Sequence, residues 1–474
     1  MWRQDELTCP DFAPSSGDTS GEARCSRLFI YLQALRHPTL SKKSLSRIGP
    51  GDYDREVRVQ GWVEDVRKLG GIAFVILRQR EGTLQLAFPK KKVPELLEMA
   101  GNLTRESVIE ATGTVVKNDQ ARNGWEIIPR ELKVLAAAEA PLPLGVVDKV
   151  TADADTRVDN RFLDLRKAEV RAIFEVRSLV LQSIRATMVR HGFTEVNTPK
   201  LSGAGAEGGA SLFKTDYFGR VAYLSQSPQL YKQMLMASSL DRVFEIAQVF
   251  RAEPSDTVRH LTEITMFDAE MAYIDHQEDF FTVLEDAVVT TIRDVTEQAK
   301  PLLTAIGRQP KVPTLPFPRV PYSECIEILN QQGKAVKPGD DIDTEGEKLV
   351  AKVVAERGHE LFFITEYPSS IKPFYVMRKD DDPGSTWSFD LEYKGDEMAS
   401  GGQREHRIGQ LIANMAARGL KPESFEFYLK AFRYGMPPHG GWGFGIDRFV
   451  QKMLDLPNIR EAVLFPRDRN RLSP

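Results

Sequence analysis

A chain of 474 residues with 42% hydrophobic and 27% charged side chains is long enough for two or three domains, each with a core of its own. Its apolar runs, such as Phe74 to Leu77 and Ser178 to Leu181, fall far short of the roughly 20 residues that span a bilayer, so no membrane span is expected. With 63 basic and 67 acidic residues the net charge is −4, which excludes a global attraction to nucleic acid and restricts any such contact to local patches.

Residues 1–45 carry Pro14, Ser15, Ser16, Gly17 and Gly21 without hydrophobic periodicity and read as a poorly ordered extension. Asp5 and Glu6 replace an apolar signal core, so a cytoplasmic location is expected. Cys9, Cys25 and Cys325 lack metal-ligand spacing and read as free thiols. From 46 to 140 the chain shows five short β-type runs: Val57 to Val63, Ile72 to Leu77, Thr83 to Phe88, Val108 to Val116 and Trp125 to Leu135. They fit a small barrel of the oligonucleotide-binding (OB) type, or another small β-domain. Positive charge collects here at Arg67, Lys68, Arg78, Arg80 and Lys90 to Lys92. A Pro-rich stretch from Pro141 to Gly145 opens a hinge or linker assigned to 141–165.

The remaining residues, 166–474, form the second domain. Val170, Ile173, Val180, Ile184 and Met188 recur at helical spacing up to Gly192, where a helix would stop. Strand-like runs follow at Val243 to Phe250, Leu261 to Met271, Leu361 to Thr365, Phe374 to Met377 and Ser388 to Tyr393. They alternate irregularly with helical stretches at Gln277 to Ala299, Arg404 to Arg418 and Pro422 to Phe432. No βαβ rhythm emerges, so the expected class is α+β, an antiparallel sheet with flanking helices.

Several constellations carry chemistry. In a strand ending at Glu253, alternation puts Arg251 and Glu253 on one face, suited to a phosphate and an adenine amino group, or else to a cross-strand ion pair with Arg259. Ser227 and Pro228 suit a helix start, which sets Gln229 and Lys232 three apart near its positive end. A Lys394–Gly395 turn would align Asp390, Glu392 and Glu397, a cluster that repels itself unless solvated or neutralised by a hard cation. Arg448 opposes the dipole of a helix start unless an anion sits there, and Gly441, Gly443 and Gly445 would let a phosphate approach.

The run "FRAEPSDTVRHLTE" resembles motif 2 of the class II aminoacyl-tRNA synthetases in its aspartyl form. "GFTEVNTPKL" is similar to motif 1 and "GGWGFGIDRF" to motif 3, and the resemblance covers about Val57 to Pro474, archaeal rather than bacterial in its closing segments. It implies a five-stranded OB barrel for anticodon binding ahead of a class II catalytic domain. It also implies activation of L-aspartate with ATP and transfer to tRNA(Asp), with tRNA(Asn) left open as a second acceptor. Arg251 and Arg448 match the catalytic arginines. Arg251, Glu253, Arg259, His260, Leu261, Glu397, Gly445 and Arg448 match ATP-binding positions, and Glu207, Gln229, Lys232, Asp268, Ser400 and Arg404 match aspartate-binding ones. Asp390, Glu397 and Ser400 match Mg²⁺ ligands, Phe74, Gln85 and Glu126 match anticodon contacts, and Pro199 matches the homodimer interface of motif 1. His439 is assigned to loop packing. Ile264 stands where many relatives carry Phe, so the ring that stacks on adenine is not supplied there. The rival readings are an asparaginyl enzyme, disfavoured by Lys232 and Arg404, and a silent RNA-binding relative, disfavoured by the presence of Arg251, Glu397 and Arg448.

Overall fold

The computed structural model describes residues 43–147, 152–203, 212–254 and 257–474. The chain divides into two compact units at the Leu142–Pro143 junction.

The first unit is a closed barrel of β1 (Glu56–Leu69), β2 (Ile72–Gln79), β3 (Gly82–Pro89), β4 (Val108–Lys117) and β5 (Trp125–Ala136), in the order β1-β2-β3-β5-β4. Helix α1 (Pro94–Gly101) sits between β3 and β4 in sequence. All five strands lie where the alternation predicts them. In β2, Ala73, Val75 and Leu77 are fully buried while Ile72, Phe74 and Ile76 are half-buried on the other face, the period-2 split of a strand with one wet side. Leu45 and Ile48 join the barrel core, so this unit extends a little N-terminal of the expected boundary at 46.

The second unit opens with α2 (Ala154–Asp159), α3 (Arg161–Asp164) and the long α4 (Ala168–Arg190). The linker assigned to 141–165 is therefore much shorter. Arg161 is buried and donates to the carbonyls of Leu464 and Arg460, which pins 152–164 to the C-terminal segment of the same unit. After α4, Gly192 takes φ +78°, the stop its position predicts.

Next come β6 (Thr194–Glu195), the small sheet β7 (Leu201–Ser202), β8 (Lys214–Tyr217) and β9 (Arg220–Leu224), and helix α5 (Gln229–Met236). Then β10 (Arg242–Phe250), β11 (Glu263–Ala272), α6 (Glu278–Gln298), α7 (Lys300–Ile306), β12 (Arg319–Pro321), α8 (Tyr322–Gln331), α9 (Thr344–Glu356), β13 (Leu361–Thr365), β14 (Ser388–Tyr393) and β15 (Asp396–Gln403) follow. The chain closes with α10 (Ile408–Ala417), α11 (Glu426–Arg433), β16 (His439–Gly445) and α12 (Ile446–Met453). Eight of these strands form one sheet in the order β12-β13-β14-β15-β16-β11-β10-β6, antiparallel but for the β12–β13 and β10–β6 pairs. One face is covered by α4 and α6, whose apolar sides pack with Phe267, Ala269 and Met271 into the main core. The even positions of β11 turn to the opposite face, and there the site is built.

Three local expectations differ from the structure. The strand expected to run to Glu253 ends at Phe250, its partner begins at Glu263 rather than His260, and Arg251 to Glu253 lie in the connecting turn. Phe374 to Met377 is not a strand and makes only a bridge, Val376 to Arg404. The helix expected from Arg404 begins at Ile408, because Arg404 continues the sheet by donating its N–H to the His439 carbonyl. Among the described residues, no helix is long and apolar enough to cross a membrane.

Candidate active site

A cleft of about 380 Å³ opens over β11, β15 and β16. Arg251, Glu253, Arg259, His260, Leu261, Gln229, Asp268, Glu397, Ser400, Arg404, Gly445 and Arg448 all line it, and the sequence runs from Gln229 to Arg448 are thereby brought to one place. Lys232 and Asp390 stand one hydrogen bond behind its wall.

One end is cationic. Arg251 leaves β10 beside Met266, 3.8 Å from its Sδ, and Arg448 projects from the first turn of α12, donating from Nη1 to the Glu397 carbonyl. His260 holds Thr257 through Nδ1 at 2.6 Å, and burial, reinforced by Arg448, lowers its pKa, so it enters the cleft as neutral imidazole. Arg259 reaches the cleft too, but its guanidinium is committed to Glu347 and Asp396, both at 3.0 Å. The alternative cross-strand ion pair of Glu253 with Arg259 is not what forms. Ile264 lines the cleft without offering a ring.

The other end is a buried charge cluster. Lys232, from α5, donates to Asp268 Oδ1 (2.8 Å) and the Trp442 carbonyl (2.7 Å) and lies 3.5 Å from Glu270 Oε2. Arg404 donates to Glu270 Oε1 (2.8 Å) and to the Gly441 carbonyl (2.8 Å). Burial raises the pKa of Glu270, but Arg404 and Lys232 outweigh it and hold the carboxyl below its usual range. Two atoms here lack partners: Asp268 Oδ2, an acceptor, and Gln229 Nε2, a donor. Leaving such buried groups unpaired costs roughly 1–3 kcal/mol each, so they mark places for a ligand's ammonium and carboxylate. Period 2 from Asp268 would have found Glu270. Its role escaped sequence reasoning because a buried acid beside two cations leaves no motif.

The third group is acidic. Lys394 (φ +51°) and Gly395 (φ +76°) form the expected tight turn, which pairs Glu392 with Glu397 and, past a bulge, Asp390 with Ser400. Burial and then Asp390 raise the pKa of Glu397, while burial and neighbouring carboxylates push Glu392 well above the ordinary range. Lys372, which the sequence did not single out, donates to both oxygens of Asp390 at 2.8 and 2.7 Å. Among the described residues no three acidic, His or Cys side chains converge as a metal cage. A hard cation held by Asp390, Glu397 and Ser400 would need a ligand's own oxygens to complete its shell, which is the usual Mg²⁺ arrangement at phosphate sites.

The glycines of β16 serve the sheet more than an incoming phosphate. A Cβ on Gly441 would stand 2.1 Å from the Ala269 carbonyl and 2.5 Å from Glu270 Oε2, and one on Gly443 would press Met266 and Asp268. His439 lies in β16, fully buried, and is not a loop residue; its Nε2 meets Gln233. Helix α5 starts at Gln229, one residue after Pro228, with Ser227 Oγ accepting from the Gln229 N–H. Pro199 is exposed and follows β6 by several residues rather than ending it. Glu207, with the rest of the loop from Ala206 to Ser211, lies outside the described residues. In the barrel, Phe74 stays out of the core on the outer face, and Gln85 donates to Glu126 at 2.7 Å.

Comparison with known proteins agrees with this arrangement. The family of class II tRNA synthetases (D, K and N) matches residues 153–469, and the OB-fold nucleic acid binding domain matches 57–135. The chain is 50% identical over 422 residues to the aspartate–tRNA(Asp) ligase of Thermococcus kodakarensis, covering 89% of this chain and 96% of that one. It is 48% identical over 420 residues to the aspartate–tRNA(Asp/Asn) ligase of Methanothermobacter thermautotrophicus, covering 88% and 95%. Its fold is similar to that of asparaginyl-tRNA synthetase from Pyrococcus horikoshii complexed with asparaginyl-adenylate, with a TM-score of 0.82 and 32% identity over 92% of this chain and all of that one. The motifs, the cleft they build and these likenesses lead to one conclusion: the chain belongs to the class II tRNA synthetases of the aspartate, lysine and asparagine group.

Proposed function

We propose that this protein is an aspartate–tRNA ligase, joining L-aspartate to ATP as aspartyl-adenylate and passing the aspartyl group to tRNA(Asp). The observation that carries the reading is the buried end of the cleft, where Lys232 and Arg404 offer cations suited to a second carboxylate and Asp268 Oδ2 and Gln229 Nε2 await an ammonium and a carboxylate. An aspartate carboxylate would share Lys232 and Arg404 with Asp268 and Glu270, whereas an asparagine amide would gain no bond between opposite charges there.

In this reading the aspartate α-carboxylate attacks the α-phosphorus in line and pyrophosphate leaves. The terminal ribose hydroxyl of the tRNA then attacks the carbonyl carbon of the mixed anhydride, forming the ester as the bond to the phosphate oxygen breaks and AMP leaves with its charge, the hydroxyl proton passing to solvent. No protein nucleophile takes part; Arg251 and Arg448 steady the phosphate charge, Glu253 faces the nucleotide, and the chain contributes positioning and electrostatics. Mg²⁺ at Asp390, Glu397 and Ser400 would supply further neutralisation of the phosphates. The outer face of the barrel, with Phe74, Gln85 and Glu126, would take the anticodon bases by stacking and edge contacts. Pro199 and motif 1 would form a homodimer, and the cytoplasm is the expected place of work.

Because one relative is named for both tRNA(Asp) and tRNA(Asn), the test is aminoacylation of each purified tRNA with labelled aspartate. Charging of tRNA(Asp) is expected, and the yield with tRNA(Asn) decides the second acceptor. Transfer of asparagine alone, or of neither amino acid, would defeat the reading.

A further inference from the structure

Thr265 and Asp447 each line two cavities. One is the cleft; the other, of about 410 Å³, lies on the α4 side of the sheet and is walled by Phe174, Arg177, Leu181, Gln248 and Leu464. Across this shared wall, Arg177 donates from Nη2 to Asp447 Oδ1 at 2.5 Å and to Thr265 Oγ1 at 2.8 Å. Asp447 Oδ2 accepts the Thr265 N–H at 2.8 Å, and Gln248 Nε2 donates to Thr265 Oγ1 at 3.2 Å. Asp447 is 2% exposed, occupies the second position of α12 and directly precedes Arg448. A carboxylate so placed suits the positive end of a helix, but buried without a cation it would be protonated or would draw in the nearest free one. The nearest in sequence is Arg448, in the same cleft wall.

We propose that Arg177 is a positioning residue for the nucleotide: by occupying Asp447 from the α4 side it ties the first turn of α12 to β11 and keeps Arg448 from pairing with Asp447, so that the Arg448 donors not used on the Glu397 carbonyl remain for phosphate. The residue does not touch the cleft; it acts through Asp447. This rests on the reading of the cleft as an ATP site.

The test is steady-state pyrophosphate exchange by the full chain, varying ATP and aspartate separately, for the unmodified protein, R177M, R177K, D447N and the R177M/D447N double variant. R177M is expected to raise KM for ATP roughly tenfold and leave KM for aspartate within about twofold, the split that a transmitted effect on one substrate gives. R177K should recover most of that loss. D447N should reproduce it, and the double variant should be no worse than either single one, because the two side chains act as a unit. Equal rises in both KM values, an unchanged KM for ATP, additive losses, or an R177K as impaired as R177M would each overturn the proposal; R177K and D447N keep the test open should R177M fail to fold. If the unmodified protein shows no exchange, the ligase reading falls. Calorimetric titration with ATP alone then still reads whether Arg177 and Asp447 set nucleotide affinity together, a roughly tenfold weaker Kd supporting it and an equal Kd refuting it.

Discussion

Gln229 and His439 show how single side chains in this unit are tuned by what they lack as much as by what they touch. Gln229 is buried with its amide nitrogen unpartnered, so removing it breaks no internal bond at that atom. Q229A should therefore leave the folded state nearly intact and raise KM for aspartate by roughly tenfold or more, the worth of a hydrogen bond to a charged group, without moving KM for ATP. Steady-state exchange kinetics check it. His439 donates from Nδ1 to the Pro437 carbonyl while Nε2 accepts from the Gln233 amide, whose oxygen takes the Tyr428 hydroxyl. That arrangement needs neutral imidazole, and burial pushes its pKa down to about 4. An unfolded His takes its proton near pH 6.5, so between about 6.5 and 4 the unfolded chain binds more protons than the folded one. Stability must then fall as pH drops through that window, by up to about 3 kcal/mol. Thermal melts from pH 7 to 4.5 should show a slope that H439N flattens; an equal slope in H439N would contradict the assignment. At this scale the sequence was most legible where residues of separate motifs meet in the cleft, as at Arg251, Arg404 and Arg448, with Lys232 just behind its wall. It was least legible where a residue serves another residue. Glu270, Lys372 and Arg177 bond Arg404, Asp390 and Asp447 across 18 to 270 positions, and no local pattern encodes such contacts.

The turn of the β14–β15 hairpin was readable because its positive-φ residues are local, but its register was not, because the bulge between Leu391 and Glu392 shifts the pairing of Asp390. Strand ends were not. Alternation through Arg251 to Glu253 reads as a strand, but these residues turn into the cleft, and the ladder stops at Phe250. Arg404 similarly carries helical texture yet is drawn into the sheet by Glu270 and the carbonyls of β16, a tertiary override of propensity. The β16 strand escaped because glycines disfavour strands. Here they are required by neighbouring backbone. G441A would drive a methyl into the Ala269 carbonyl and Glu270, so it should cost more than about 3 kcal/mol in stability, within the range for overpacking plus a disturbed buried charge. Chemical denaturation measures this, and a loss below about 1 kcal/mol would mean that β11 and β16 can separate freely.

On the scale of the whole molecule, the two units divide the labour of the proposed reaction. The five strands of the barrel were legible from short alternating runs; the stretch after them was read as linker because nothing local shows that the buried Arg161 ties residues 152–164 to the C-terminal segment. Adenylation needs only the second unit's cleft, whereas charging also needs RNA. F74A should thus raise KM for tRNA by roughly five- to a hundredfold, the worth of one stacked base, while exchange in the absence of RNA stays within about twofold. Pyrophosphate exchange into ATP with purified protein asks whether one cleft holds ATP beside an acidic amino acid. Aspartate should drive exchange, asparagine should not, and R251A should abolish it; exchange driven by asparagine alone, or undiminished in R251A, would mean that the cleft does not hold these two substrates side by side.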